Sequence, residues 1–236
     1  MKIAGLQKQS VLDYPNKLSS VIFTPGCNFR CPFCHNFQIV IPDDATKISN
    51  FAKIKKFFDD RKNFLDAVVI TGGEPTLHPN LPDVIKELKA MGYLVKLDSN
   101  GTNPSMLMKL LNAKLLDYIA MDVKTSLDFD KYNKAVGNVL TNEMFENVKK
   151  SISIIMNSGI DYEFRTTVVP TLVDLDDIFN IASYIKGAKK YALQKFNNEN
   201  ANTPELRNTK AYSKEQIETV ISNITDIDNV ELRGYR

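Results

Sequence analysis

Residues 67–76 read AVVITGGEPT, an apolar, β-branched run that stops at two glycines, a glutamate and a proline. A run with no polar alternation suits a strand buried on both faces, as strands of parallel sheets are. Pro75 lacks an N–H and has its φ fixed near the helical value, which suits the first turn of a helix. Strand, short loop, helix is therefore the local reading, and the unit recurs in both directions. Candidate strands fall at 18–23, 67–71, 93–98, 118–122, 162–169 and 191–196. Helical stripes between them are carried by Ile48, Phe51, Ile54 and Phe58, then by Val84, Ile85 and Leu88. Phe145, Val148, Ile152 and Ile155 form another, followed by Leu175, Ile178, Phe179, Ala182 and Ile185. Gly92, Gly159 and Gly187 fall between a helix and the next strand, where a left-handed cap is wanted. Pro75, Pro79, Pro82 and Pro104 fall where helices should begin. A last helix near 213–223 precedes a candidate strand at 230–233.

Six strand–helix repeats predict an α/β fold: a partial (β/α)6 TIM-like barrel of parallel strands. No Ser/Gly-rich linker or composition shift divides the chain. Residues 1–236 read as one domain, with 1–16 as an N-terminal extension and 197–236 as a C-terminal loop, helix and strand; the polar stretch 197–209 reads as loop. The 236 residues carry 30 Lys and Arg against 28 Asp and Glu, a net charge of +2, so no strong field points to nucleic acid or membrane. No apolar run approaches the roughly 18 residues of a membrane span, and the N-terminus has no secretory pattern. A cytoplasmic protein is expected.

The three cysteines, Cys27, Cys31 and Cys34, share one short window. An odd, clustered set cannot be a disulfide framework and reads as metal ligands. The spacing C-x3-C-x2-C offers three soft thiolates. One reading is a cubane iron–sulfur cluster with one iron lacking a protein thiolate and open to a small molecule. The other is zinc held by these cysteines and His35, although His35 directly follows Cys34, which makes joint ligation awkward.

The remaining unusual residues follow the other strands: TGGEPT, DSNGT, MDVKT, Arg165 with VPT, and Gln194-Lys195-Phe196. In a parallel barrel these ends share one mouth, which brings 27–34, 72–75, 98–101 and 122–124 together. Gly72 and Gly73 let backbone approach a ligand without a Cβ in the way, and Glu74 presents a carboxylate suited to an ammonium group. GGEP alone is equally a strand-to-helix turn. Asp122 and Lys124, two apart on a strand, share a face and suit an ordinary ion pair as well as a ligand role. Arg165 suits a structural role as well as a contact. His78 reads as a capping or surface residue and Met121 as packing.

CNFRCPFCHN followed by TGGEPT resembles the radical S-adenosylmethionine superfamily. The opening GLQKQSVLDYPNKLSSVIFTPGCNFRCPFCHN resembles the long form of the anaerobic ribonucleoside-triphosphate reductase activating proteins, with Asn16 standing where glycine is expected after Tyr14-Pro15. The resemblance implies a glycyl-radical enzyme activase. Its cofactors are a [4Fe-4S] cluster on Cys27, Cys31 and Cys34, and S-adenosylmethionine chelated to the open iron. Cleavage by one electron leaves methionine and a deoxyadenosyl radical, which is directed at a glycine of a partner enzyme. The family pattern implies that Gly72, Gly73 and Glu74 receive the methionyl ammonium and that Phe33 and His35 lie where adenine is contacted. Asp98, Ser99 and Asn100 face the methionyl or ribose part. Asp122 and Lys124 touch ribose and carboxylate, and Arg165 contacts carboxylate or the incoming peptide. No contact is assigned to Phe196, where related activases can have histidine. Implied partners are a glycyl-radical enzyme, the large subunit of anaerobic ribonucleotide reductase, and a low-potential electron donor such as flavodoxin or ferredoxin. The competing function is a radical enzyme acting on a small molecule, and outside that class a non-catalytic iron–sulfur or zinc module.

Overall fold

The computed structural model describes residues 1–42 and 48–235. Its strands are β1 Lys2–Ile3, β2 Gly5–Ser10, β3 Ser19–Thr24, β4 Ser49–Asn50, β5 Ala67–Gly72, β6 Leu94–Ser99, β7 Tyr118–Asp122, β8 Asp161–Val168, β9 Tyr191–Lys195 and β10 Val230–Arg233. Its helices are α1 Phe37–Val40, α2 Phe51–Asp59, α3 Leu81–Ala90, α4 Pro104–Asn112, α5 Phe129–Ala135, α6 Asn142–Met156, α7 Leu175–Tyr184, α8 Pro204–Arg207 and α9 Lys214–Ile221. The main sheet runs β10-β9-β8-β7-β6-β5-β3-β2, parallel throughout except for β2. β2 and β10 are its two edges and do not pair, so the barrel is left open between them. Six strand–helix units followed by β10 make the expected α/β partial barrel. No helix among the described residues is long and apolar enough to cross a membrane.

The two-sided burial of the parallel strands follows from AVVIT itself. Val68 and Ile70 join Leu81, Ile85 and Leu88 in the layer between sheet and helices. Ala67 and Val69 face the barrel interior with Tyr14, Val21, Tyr118 and Ala120. Tyr14, from the turn after β2, packs its ring 5.8 Å from Tyr118 and fills this interior core. Burying a side chain of this size is worth roughly 1.5–3 kcal/mol. Asn16 just beyond it has φ 57°, which explains the departure from glycine: Asn is among the few other residues that tolerate the left-handed region.

Helix starts are set by side-chain caps. Asn50, Asn103, Asp128 and Thr141 each accept the N–H three residues on, and Asp174 and Ser213 build capping boxes. Because Asn50 is a cap and Ser49–Asn50 pairs with Lys2–Ile3, the second helix starts at Phe51 and excludes Ile48. Pro75 opens only a single 3-10 turn, and the helix proper begins at Leu81. Phe179 is 48% exposed and lies off the buried stripe of α7.

Two segments are more ordered than their sequence reading. Residues 5–10 of the N-terminal extension form β2, whose polar GLQKQS pattern is that of an edge strand held by its ladder to β3. Within 197–209, Ala201 and Leu206 are buried and α8 forms.

Candidate active site

The loops at the C-terminal ends of β3, β5, β6, β7, β8 and β9 enclose a cavity of about 950 Å³. That is at the upper end for a small-molecule or cofactor site. Every residue the sequence singles out for the site lines it: Cys27, Cys31, Phe33, Cys34 and His35; Gly72, Gly73 and Glu74; Asp98, Ser99 and Asn100; Asp122, Lys124 and Arg165. His78 lies elsewhere, its Nε2 3.0 Å from the Pro25 carbonyl, and Met121 is fully buried packing. Phe196 is buried in the outer core.

The cysteine loop is braced from two sides. The Arg30 N–H donates to the Val136 carbonyl at 2.9 Å, and Gly137 (φ 85°) lies so close that a Cβ there would stand 2.2 Å from the Arg30 oxygen. On the other side, the N–H groups of Asn202 and Thr203 donate to the Pro32 carbonyl at 3.1 and 3.2 Å. The three thiols are free of disulfides. Burial, with the nearby Glu74 adding, pushes the Cys27 thiol up to about 11. Burial pushes Cys31 up to about 12, and it raises Cys34 as well. Among the described residues no three His, Cys, Asp or Glu side chains converge tightly enough to share one metal ion, and His35 is exposed. A cubane holds its irons at separate corners, so its thiolates need only ring a common space, and these three do.

The two glycines serve loop-to-loop packing. Gly72 has φ 118°, and a Cβ at Gly73 would lie 1.9 Å from the Gly26 carbonyl oxygen. The N–H groups of Gly73 and Glu74 donate to Thr24 and Gly26 at 2.8 Å, stitching the loop after β5 onto that after β3. Glu74 is 1% exposed. Its Oε1 accepts from the Thr76 N–H (3.1 Å), the Thr76 hydroxyl (2.5 Å) and the Ser99 hydroxyl (2.9 Å). Oε2 accepts from the Asn100 N–H at 2.7 Å and keeps a lone pair for one more donor. Burial raises its carboxyl above the usual range, and these hydrogen bonds only partly offset it.

Across the floor of the cavity runs a chain of alternating charge. Lys96 Nζ sits 2.9 Å from Asp98; Arg165 reaches Asp98 at 3.1 Å and Asp122 at 2.8 Å; Lys124 meets Asp122 at 2.9 Å. The ion pair between Asp122 and Lys124 thus forms. Burial works against the Asp122 and Asp98 carboxylates, but Arg165 with Lys124 or Lys96 outweighs it and holds both below the usual range. Lys124 lies 5.9 Å from the centre of the Phe33 ring, within reach of a cation–π contact.

Sequence reasoning missed several contributors. Asn28 and Asn36 stand inside the quoted cysteine motif. Asn28 Oδ1 accepts from Asn100 at 2.9 Å, and Asn36 donates to the Gly72 carbonyl at 3.3 Å. Thr167, Gln194 and Asn202 also line the cavity. Gln194 alone was in a quoted strand end; the others carry no motif.

The partial barrel with a three-thiol loop at its mouth defines a class of radical enzymes. Residues 21–185 match the radical SAM superfamily, and the chain belongs to it. It is a radical SAM enzyme, whose cofactors are a [4Fe-4S] cluster and S-adenosylmethionine. More particularly, it is 36% identical over 208 residues to a Methanocaldococcus jannaschii protein named, by inference, a glycyl-radical enzyme activating enzyme; 87% of this chain and 84% of that protein are covered. It is 26% identical over 232 residues to the pyruvate formate-lyase-activating enzyme of Clostridium pasteurianum, covering 91% and 93%. Among solved structures, Streptococcus suis SuiB bound to S-adenosylmethionine shares the fold with TM-score 0.67 at 13% identity, over 91% of this chain and 52% of that one. TYW1 with a lysine–pyruvate adduct shares it with TM-score 0.63 at 16% identity, covering 87% and 72%.

Proposed function

We propose that this chain is a glycyl-radical enzyme activase whose partner is the large subunit of an anaerobic ribonucleoside-triphosphate reductase, served by a low-potential donor of the flavodoxin or ferredoxin kind. The observation that carries the reading is the gathering of three thiols and the strand-end polar residues on one cavity, in a barrel whose edges β2 and β10 stay unpaired. In this reading the gap is the way by which an extended polypeptide of the partner reaches the cavity. The relatives named for glycyl-radical activation support the class of partner. The N-terminal GLQKQSVLDYP stretch, which builds β2 and sets Tyr14 in the barrel interior, supports the subgroup.

In this reading residues 1–236 act as one unit and Cys27, Cys31 and Cys34 hold the cluster. When bound, the cluster and S-adenosylmethionine supply one-electron cleavage and the abstraction of a hydrogen atom. Gly72, Gly73 and Glu74 receive the methionyl ammonium, with the free lone pair on Glu74 Oε2 as the acceptor. Phe33 and His35 flank adenine. Asp98, Ser99, Asn100, Asp122 and Lys124 orient ribose and the methionyl carboxylate. Arg165, already held by Asp98 and Asp122, keeps those carboxylates charged and in place. A target glycine suits the site because its Cα can approach without a side chain.

The test is anaerobic incubation of the reconstituted protein with the reductase from its own genome, S-adenosylmethionine and reductant, followed by electron paramagnetic resonance. A glycyl-radical doublet that requires this protein is expected. No doublet, together with turnover of a small metabolite, would overturn the activase reading.

A further inference from the structure

Between the first two cysteines stands Arg30, whose backbone braces the loop but whose side chain has no role in the site described above. One guanidinium nitrogen of Arg30 donates to the Cys27 carbonyl at 2.6 Å and to the Phe29 carbonyl at 2.8 Å. Its own N–H is tied to Val136, and its carbonyl rests on Gly137, so both backbone and side chain are fixed. With two carbonyls of the turn drawn onto the cation, the intervening Phe29 N–H faces the other way and donates to Cys27 Sγ at 3.4 Å. The arrangement places a permanent positive charge and an N–H···S hydrogen bond on the segment that joins two thiols. Arginine stays protonated at any accessible pH.

We propose that Arg30 is a positioning residue that raises the reduction potential of the cluster. It acts by its fixed charge and by holding the Phe29 N–H on Cys27 sulfur. The inference rests on the assignment of Cys27, Cys31 and Cys34 as cluster ligands. The physical sense is fixed by electrostatics: reduction adds an electron to an already anionic centre, so a nearby cation and donors to its sulfurs favour the reduced form. Lys124 is the other cation near the loop: it acts on all three thiols, and it is already paired with Asp122 at 2.9 Å. Arg30 is exposed, so solvent screens part of its charge, but among the described residues no acidic side chain pairs with it and its removal breaks no ion pair.

The experiment compares wild type with Arg30→Leu, Arg30→Gln and Arg30→Lys after anaerobic reconstitution. Iron and sulfide content is measured first, then the midpoint potential by titration followed by electron paramagnetic resonance. The neutral variants are expected to show a reduced-to-oxidised ratio about three- to tenfold lower at a fixed potential. The upper figure equals about 59 mV for a one-electron couple. Arg30→Lys, which keeps the charge, is expected to recover most of the difference. If neither neutral variant holds a cluster while Arg30→Lys does, Arg30 serves assembly of the cluster and the inference about its potential is overturned. Neutral variants with full clusters and an unchanged potential overturn it. A wild-type protein that assembles no cluster overturns the cysteine assignment instead, and the two failures are read from different measurements.

Discussion

The backbone N–H of Asn100 donates to Oε2 of Glu74 at 2.7 Å, joining the end of β6 to the loop after β5. The same carboxylate holds Thr76 and Ser99 through its other oxygen, so one buried side chain fixes the spacing of two neighbouring strand ends. The glutamate of GGEP is thus a brace as well as a candidate for the ammonium contact. Glu74→Gln keeps the shape but turns an NH₂ toward one of these donors. It should lower folding stability by about 1–3 kcal/mol, and weaken S-adenosylmethionine binding roughly ten- to a hundredfold while the cluster still assembles. Denaturant melts and cofactor titration check the two halves separately. An unchanged affinity removes the ammonium role and leaves the brace.

Glu74 also marks how far the sequence could be read. AVVIT followed by GGEP announced a strand end and a special loop, and the register of β3, β5, β6 and β7 then brought all the named residues to one cavity. The motif could not say that the space beside Gly73 is filled by Gly26, because that contact belongs to the packing of two loops 47 residues apart in the chain (73 − 26). β2 was hidden for a related reason. Its polar edge residues carry no burial pattern, and its order comes from hydrogen bonds to β3. Asn202 was beyond reach for the same cause: a polar loop residue reaches the cavity only because its backbone docks on Pro32.

Gly73 and Gly92 separate close packing from backbone freedom. Gly92 has φ 94° with open space where a Cβ would go, so Gly92→Ala meets conformational strain alone and should cost about 1 kcal/mol. At Gly73 the added methyl would sit 1.9 Å from a backbone oxygen that cannot turn aside. Gly73→Ala should displace the loop against β3, with a stability loss well above the roughly 1 kcal/mol of the Gly92 variant. Paired thermal melts decide; equal shifts would refute the packing argument.

Acid should loosen the barrel from its interior face. Glu163 is buried on β8 and takes Arg233 of β10 through two contacts, at 3.0 and 2.6 Å, with Tyr118 donating at 3.2 Å. Burial opposes its charge, but Arg233, with Arg165 next, holds its carboxyl below the usual range; Asp98 and Asp122 are also lowered. A carboxylate lowered in the folded state adds stability above its unfolded value and loses it as pH falls through the folded one. Stability should therefore be level near neutrality and fall below about pH 4, the unfolded range for Asp and Glu. Glu163→Gln removes the buried partner of Arg233 and leaves it Glu231 alone, so it should be less stable by about 1–3 kcal/mol at pH 7 and show a shallower acid limb. Urea melts across pH would expose the error if the limb kept its full slope.

Loading the cysteine loop should release protons. Burial raises all three thiols, Cys27 to about 11 and Cys31 to about 12, so the unloaded protein carries them neutral at pH 7. A thiol binds iron only as thiolate, so each ligand gives up its proton on binding. For a raised thiol the neutral form is favoured until pH passes the folded value, so cluster uptake should strengthen steadily from pH 7 to pH 9. About three protons should appear per cluster in weakly buffered solution. Cys31→Ala removes the most buried of the three proposed ligands, and both cluster content and S-adenosylmethionine cleavage should vanish with it. Removing the cluster from wild type should also lower the melting temperature, because a group that binds only the folded chain stabilises it. Cleavage at the normal rate by Cys31→Ala, or uptake indifferent to pH, would show that these thiols are not the ligands.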